Sequence, residues 1–195
     1  GWSGSGYTGV YAGGGPDGFP YNRTSMQVIK WCGFNGWTNG LSVKGSAVYA
    51  ECTMLYTAQP TLNHSIEGGF MACPNSVADP TDGVFFRVRD GNLYCVCCNN
   101  SVEQSVNLGT APVFGVEHNL VIEVTPISAI FWMDNIPVAT FQNAAGTLSI
   151  QSQPQLPFCV RQFNGGVAPA YALQTKFSNI SVSMADLDNN RLWPT

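Results

Sequence analysis

Nucleophilic catalysis by a serine or cysteine needs a histidine base close by. This chain offers two, His64 and His118. Each lies in a polar stretch, Leu62-Asn63-His64-Ser65 and Glu117-His118-Asn119, that reads as surface loop. No Gly-x-Ser-x-Gly elbow occurs, and Gly13-Gly14-Gly15 is followed by Pro16-Asp17 rather than the Lys-Ser of a phosphate loop. Glycoside hydrolysis needs two carboxylates flanking the scissile bond. On one strand such a pair takes alternate positions, as in Glu-x-Asp-x-Glu. Glu51, Glu67, Glu103, Glu117 and Glu123 are instead scattered, and none has that spacing. No catalytic residue is therefore expected, and no enzyme.

Binding chemistry is less constrained. Cys95-Val96-Cys97-Cys98 invites zinc, but structural zinc takes four ligands, usually from two such hooks. The second hook is missing, and strand alternation turns Cys98 away from Cys95 and Cys97, so buried thiols are expected. Asp79, Asp82, Asp134 and Asn135 fall in loops and could hold calcium through oxygen. Aspartate is also an ordinary turn former, and the expectation is no metal and no cofactor. Aromatic rings could stack on sugars. Trp31 and Trp132 fall within strands and are expected in the core. Trp37, in Gly33-Phe34-Asn35-Gly36-Trp37-Thr38-Asn39-Gly40, is on a loop and is the better contact.

The elements that must position these groups are short strands. Ser25–Trp31, Ser46–Tyr56, Ser65–Cys73, Gly83–Arg89, Asn92–Cys98, Asn119–Thr125, Ala129–Asp134, Pro137–Gln142, Phe158–Phe163 and Tyr171–Met184 are separated by turn residues such as Asp90-Gly91 and Asp134-Asn135. No long stretch shows a helical period, although a short helix fits near Ala185–Arg191. The Asp90-Gly91 hairpin fixes its own register. With a two-residue type I′ loop, Val84, Phe86 and Val88 face Cys97, Cys95 and Leu93, a wholly apolar set. The opposite face then carries Phe85, Arg87 and Arg89 against Val96, Tyr94 and Asn92. A one-residue slip would mix the faces. Arg87 and Tyr94 on that second face are candidate contacts for a glycan or a partner. Residues 1–24 form a Gly-rich arm studded with aromatics, and Tyr7 and Tyr11 join the candidate contacts. Residues 25–195 form one β-sandwich domain.

Composition narrows the partners. Of 195 residues only 10 % are charged and 45 % are hydrophobic, against about 25 % charged in an average soluble domain. So little charge fits a surface covered by other proteins or by copies of itself. A net charge of −4 without a Lys/Arg cluster excludes nucleic acid. No apolar run approaches the ~20 residues of a membrane span. Seven cysteines in apolar strands point to reduced thiols and a reducing cytoplasm. A start at Gly1 rather than Met suggests a processed product or a piece of something longer.

Residues 46–184 resemble the concanavalin A-like and laminin G-like jelly roll. The resemblance rests on Gly83-Val84-Phe85-Phe86-Arg87, the Asp90-Gly91-Asn92 turn with its answering strand, Asn119-Leu120-Val121-Ile122-Glu123-Val124, and Phe131-Trp132-Met133-Asp134-Asn135 followed by Ile136-Pro137-Val138-Ala139-Thr140. Asn135 stands where the family usually has Gly, which a left-handed turn position tolerates. The resemblance implies an all-β, antiparallel two-sheet sandwich. With the low charge, the aromatic arm and the thiols, it also implies a non-enzymatic virion protein, a bacteriophage capsid-decoration or tail/fibre-associated domain that packs on other virion proteins or on itself. The alternative it leaves is a lectin-like module that binds a surface carbohydrate. A glycan hydrolase ranks third.

Overall fold

Alternation of apolar and polar residues drives this chain into two stacked antiparallel sheets. The computed structural model describes residues 2–5, 28–33, 46–56, 64–72, 74, 76–110, 115–125, 127–142, 156–166, 175–186 and 191–192. The strands are β1 (Trp2–Ser5), β2 (Val28–Gly33), β3 (Ser46–Tyr56), β4 (His64–Met71), β5 (Gly83–Arg89), β6 (Asn92–Asn99), β7 (Val102–Thr110), β8 (Glu117–Val124), β9 (Ser128–Met133), β10 (Ile136–Gln142), β11 (Phe158–Asn164), β12 (Thr175–Asp186) and β13 (Arg191–Leu192). One sheet has seven strands in the order β1-β2-β11-β4-β5-β6-β7. The other has six, in the order β10-β9-β8-β3-β12-β13. No described residue is helical. Where a short helix was expected, β12 runs on to Asp186 and β13 takes Arg191–Leu192. Of the stretch read as an N-terminal arm, Trp2–Ser5 is the outermost strand of the larger sheet, paired with Val28–Trp31. Its other residues, Tyr7 and Tyr11 included, lie outside the described residues.

The Asp90-Gly91 hairpin has the register its sequence dictates. Val88 faces Leu93, Phe86 faces Cys95 and Val84 faces Cys97. Asp90 and Gly91 have φ of 49° and 78°, the two positive values of a type I′ turn. Asn100-Ser101 (48° and 65°) and Asp134-Asn135 (52° and 66°) repeat the device between β6 and β7 and between β9 and β10. Strand β7 was not expected from sequence. It lies at the edge of the sheet, where Val102 and Val106 stay exposed, and its polar Glu103, Gln104, Ser105 and Asn107 dilute the apolar alternation that would reveal it.

The main core fills the space between the sheets. Ile66, Phe70, Val84, Phe86, Val88, Leu93, Cys95, Cys97, Phe158 and Val160 meet Val48, Ala50, Cys52, Met54, Leu120, Ile122, Val124, Phe131, Phe141 and Phe177. Phe86 and Phe131 join the layers edge to face, with centroids 5.0 Å apart. Every side chain of odd number on β4 and β5 then faces outward, as does every one of even number on β6. Gly69 on β4 must be glycine. Its φ is +152°, and a Cβ there would lie 2.6 Å from the Phe85 Cα.

Candidate functional site

The two outward faces differ sharply. On the larger sheet, one register row runs Arg161–Glu67–Arg87–Tyr94–Asn107 across β11, β4, β5, β6 and β7. Its charged members are buried: Glu67 and Arg161 are both 0 % exposed. Glu67 Oε1 accepts from Arg87 Nε at 2.9 Å, and Oε2 accepts from Arg161 Nε at 2.9 Å and from its Nη2. Arg87 Nη1 donates to Glu103 Oε2 at 2.7 Å. Arg89 donates to both oxygens of Asp79. The segment between β4 and β5 packs over this face. Arg161 Nη1 donates to the Ser76 and Ala78 carbonyls at 2.9 and 2.8 Å, and Cys98 Sγ reaches the Pro80 carbonyl. Beside the ions lies a second apolar cluster of Met71, Phe85, Val96, Cys98 and Cys159, with Tyr94 against it. The hydrogen bond from Arg89 holds the Asp79 carboxyl below its ordinary range. Burial works against the Arg87 charge, but Glu67, Asp79 and Glu103 outweigh it and raise its pKa.

Of the contact candidates read from sequence, Arg87 is therefore buried between two carboxylates, and Tyr94 is half-buried directly opposite it. Trp37, Tyr7 and Tyr11 lie outside the described residues. The three loop aspartates weighed for calcium accept hydrogen bonds from the chain itself, Asp79 from Arg89. Asp82 accepts from the Asn100 amide at 3.1 Å, and Asp134 accepts from the Asn119 amide at 2.9 Å. Among the described residues, no three His, Cys, Asp or Glu gather to hold a metal. One of the two histidines is not the surface group expected. His64 opens β4, is 1 % exposed and lies 2.8 Å from Asn164 Oδ1. Burial pulls its pKa down from 6.5 to about 4. His118 lies on β8, 2.7 Å from Asp134 Oδ2.

The outward face of the six-stranded sheet is open. A groove of about 300 Å³ is lined by Tyr49, Glu51, Val121, Glu123, Trp132, Asn135 and Ser181. Register builds it. Ser181, Glu51, Val121 and Trp132 form one row across β12, β3, β8 and β9, and Tyr49 and Glu123 face each other in the next. Glu51 and Glu123 are thus diagonal neighbours, roughly 7–8 Å apart at the backbone. Trp132 stands two strands from Glu51, roughly 10 Å away, with Val121 as the floor between them. Glu51 is braced, since its Oε1 accepts from Asn119 Nδ2 at 2.8 Å. Asn119 is in turn fixed by Asp134 in the β9–β10 turn, whose amide donates to the Asn119 carbonyl at 2.8 Å. Trp132, expected in the core, faces this groove because Phe131 takes the inward position. The carboxylate pair was missed in sequence because its members lie on different strands, far apart in the chain.

No protein-family model and no curated protein matches this chain. Solved structures do. An alginate lyase of family 7, A1-II′, with product bound is 14 % identical over 91 % of this chain and 76 % of its own, with a TM-score of 0.55. The same enzyme with substrate bound is 15 % identical over 84 % and 72 %, with a TM-score of 0.54. An alginate lyase from Pseudomonas aeruginosa is 14 % identical over 81 % and 73 %, also at 0.54. These likenesses establish the jelly-roll sandwich. They also overturn two expectations, the non-enzymatic virion protein of a bacteriophage and the absence of enzyme activity. All three of these structures are of alginate lyases, two of them with product or substrate bound.

Proposed function

We propose that this chain acts on a polysaccharide that lies in the groove of the six-stranded sheet. The observation that carries this reading is the groove itself, where two aromatic side chains and two carboxylates share one open sheet face. Trp132 offers a flat apolar ring for a sugar to stack on. Glu51 and Glu123 accept hydrogen bonds from hydroxyls and are the groups through which protons can move to or from a glycosidic oxygen. A carboxylate pair is what hydrolysis requires, and diagonal placement on adjacent strands supplies one without a single-strand motif. The fold's polysaccharide-cleaving neighbours lend support.

The test is incubation with a panel of polysaccharides, reading new reducing ends and ultraviolet absorbance together. Hydrolysis gives reducing ends alone, whereas elimination also gives a conjugated double bond. Trp132→Ala is expected to weaken binding about tenfold or more, the scale of a central aromatic anchor. Unchanged binding in that variant would remove the groove from the account.

A second reading has one observation in its favour. Tyr94 stands half-buried on the larger sheet, and elimination needs a group to move the proton. In that case the absorbing product forms, Tyr94→Phe suppresses it, and Trp132→Ala leaves it untouched.

A further inference from the structure

We infer that the groove selects a glycan carrying free amino groups and rejects uronates. This rests on the reading that the groove binds a sugar chain, and it adds the substrate class. Among the described residues, the lining holds two carboxylates and no Lys, Arg or His. Glu51 and Glu123 lie diagonally across neighbouring strands, so an ammonium seated between them donates to both. Only one oxygen of Glu51 is taken by Asn119, which leaves Oε2 for such a donor. Hydrogen bonds between ionised partners are about twice as strong as neutral ones. Ser181 lies beside Glu51 on β12, and Asn135 closes the opposite end beyond Trp132. Both suit hydroxyls and acetamido groups. A uronate residue in the same place would set its carboxylate against two others, with no cation among the described lining residues to offset them. The other face has the opposite character: its three arginines, Arg87, Arg89 and Arg161, are already held by Glu67, Glu103 and Asp79.

The experiment is calorimetric titration of the full chain with three oligosaccharides: glucosamine oligomers, their N-acetylated counterparts and uronate oligomers. Each is run at low and high salt. The expected order is glucosamine, then N-acetylated, with uronate too weak to measure. Glu51→Gln and Glu123→Gln should each weaken glucosamine binding about 2- to 5-fold, the range for partly exposed ion pairs. The double variant should lose the salt dependence and bind the two amino-sugar series alike. Trp132→Ala should weaken both. Thermal unfolding of each variant separates lost binding from lost structure. Uronate binding that Trp132→Ala abolishes would keep the groove and overturn the amino-sugar assignment. Binding of any series that no groove variant alters would overturn the groove itself. Equal wild-type affinity for glucosamine and its acetylated form would overturn the role given to the two carboxylates.

Discussion

Among the described residues, the outer face of the seven-stranded sheet carries more charge than that of the six-stranded sheet, yet its charges are the more fully paired. Glu67, Glu103 and Asp79 match Arg87, Arg89 and Arg161, and the segment between β4 and β5 covers them. Across the molecule, Glu51 and Glu123 face a groove with no positive side chain among its described lining residues. Charge balanced within a buried lattice fixes geometry. Charge left unbalanced on an open face is available to a ligand. Counting ionisable residues points to the larger sheet, and counting unmatched ones points to the groove.

Substitutions should separate the two faces, most strongly at Glu67. Glu67→Gln leaves two buried guanidiniums without their shared anion and should cost about 3–5 kcal/mol in urea unfolding, the usual cost of breaking a buried pair. A loss below about 1 kcal/mol would place this lattice with exposed ion pairs, which are worth no more than that. Acidification tests another buried group. The folded pKa of His64, about 4, lies below its ordinary 6.5, so the unfolded chain takes up the proton first. The stability this group contributes is whole above pH 6.5 and is lost as pH falls towards 4. The loss is on the order of 3 kcal/mol. His64→Gln should flatten the stability profile in that window, and an unchanged profile would assign the acid response elsewhere.

Smaller effects belong to the rims. Asp79 closes the lattice from its exposed end, so Asp79→Ala should cost about 1 kcal/mol or less. Glu123→Gln should change stability by no more than about 0.5 kcal/mol while altering what the groove binds. A large stability loss there would make the groove part of the scaffold. The thiols should show no reaction at all. Burial pushes Cys52 and Cys95 up to about 12 and Cys98 to about 11, and Cys97 is raised as well. Mass spectrometry after alkylation at neutral pH should find these four unlabelled until the chain unfolds.

Much of the fold was written locally. In β5 and β6, alternation and the Asp90-Gly91 turn lie within one short stretch, and together they allow one register. The groove was not legible because its parts share no stretch. Tyr49 and Glu51 belong to β3, Glu123 to β8 and Trp132 to β9, and only the pairing of β3 with β8 and of β8 with β9 brings them together. Each strand announces which residues share a face; none announces its neighbour. Arg87 shows the converse. Its outward position was legible, but the segment that seals it was not, because a covering loop leaves no periodic mark on the strand beneath.

The type I′ turns carry a consequence for time. Strands β5, β6 and β7 follow one another through two-residue turns, and such hairpins close in about 1–10 μs. Strand β3 must instead wait for β12, which lies more than a hundred residues later in the chain. Contacts of such long range slow folding. The meander of the larger sheet should therefore gain protection from hydrogen exchange first. The groove, which Ser181 on β12 completes, should close only when that last long strand arrives.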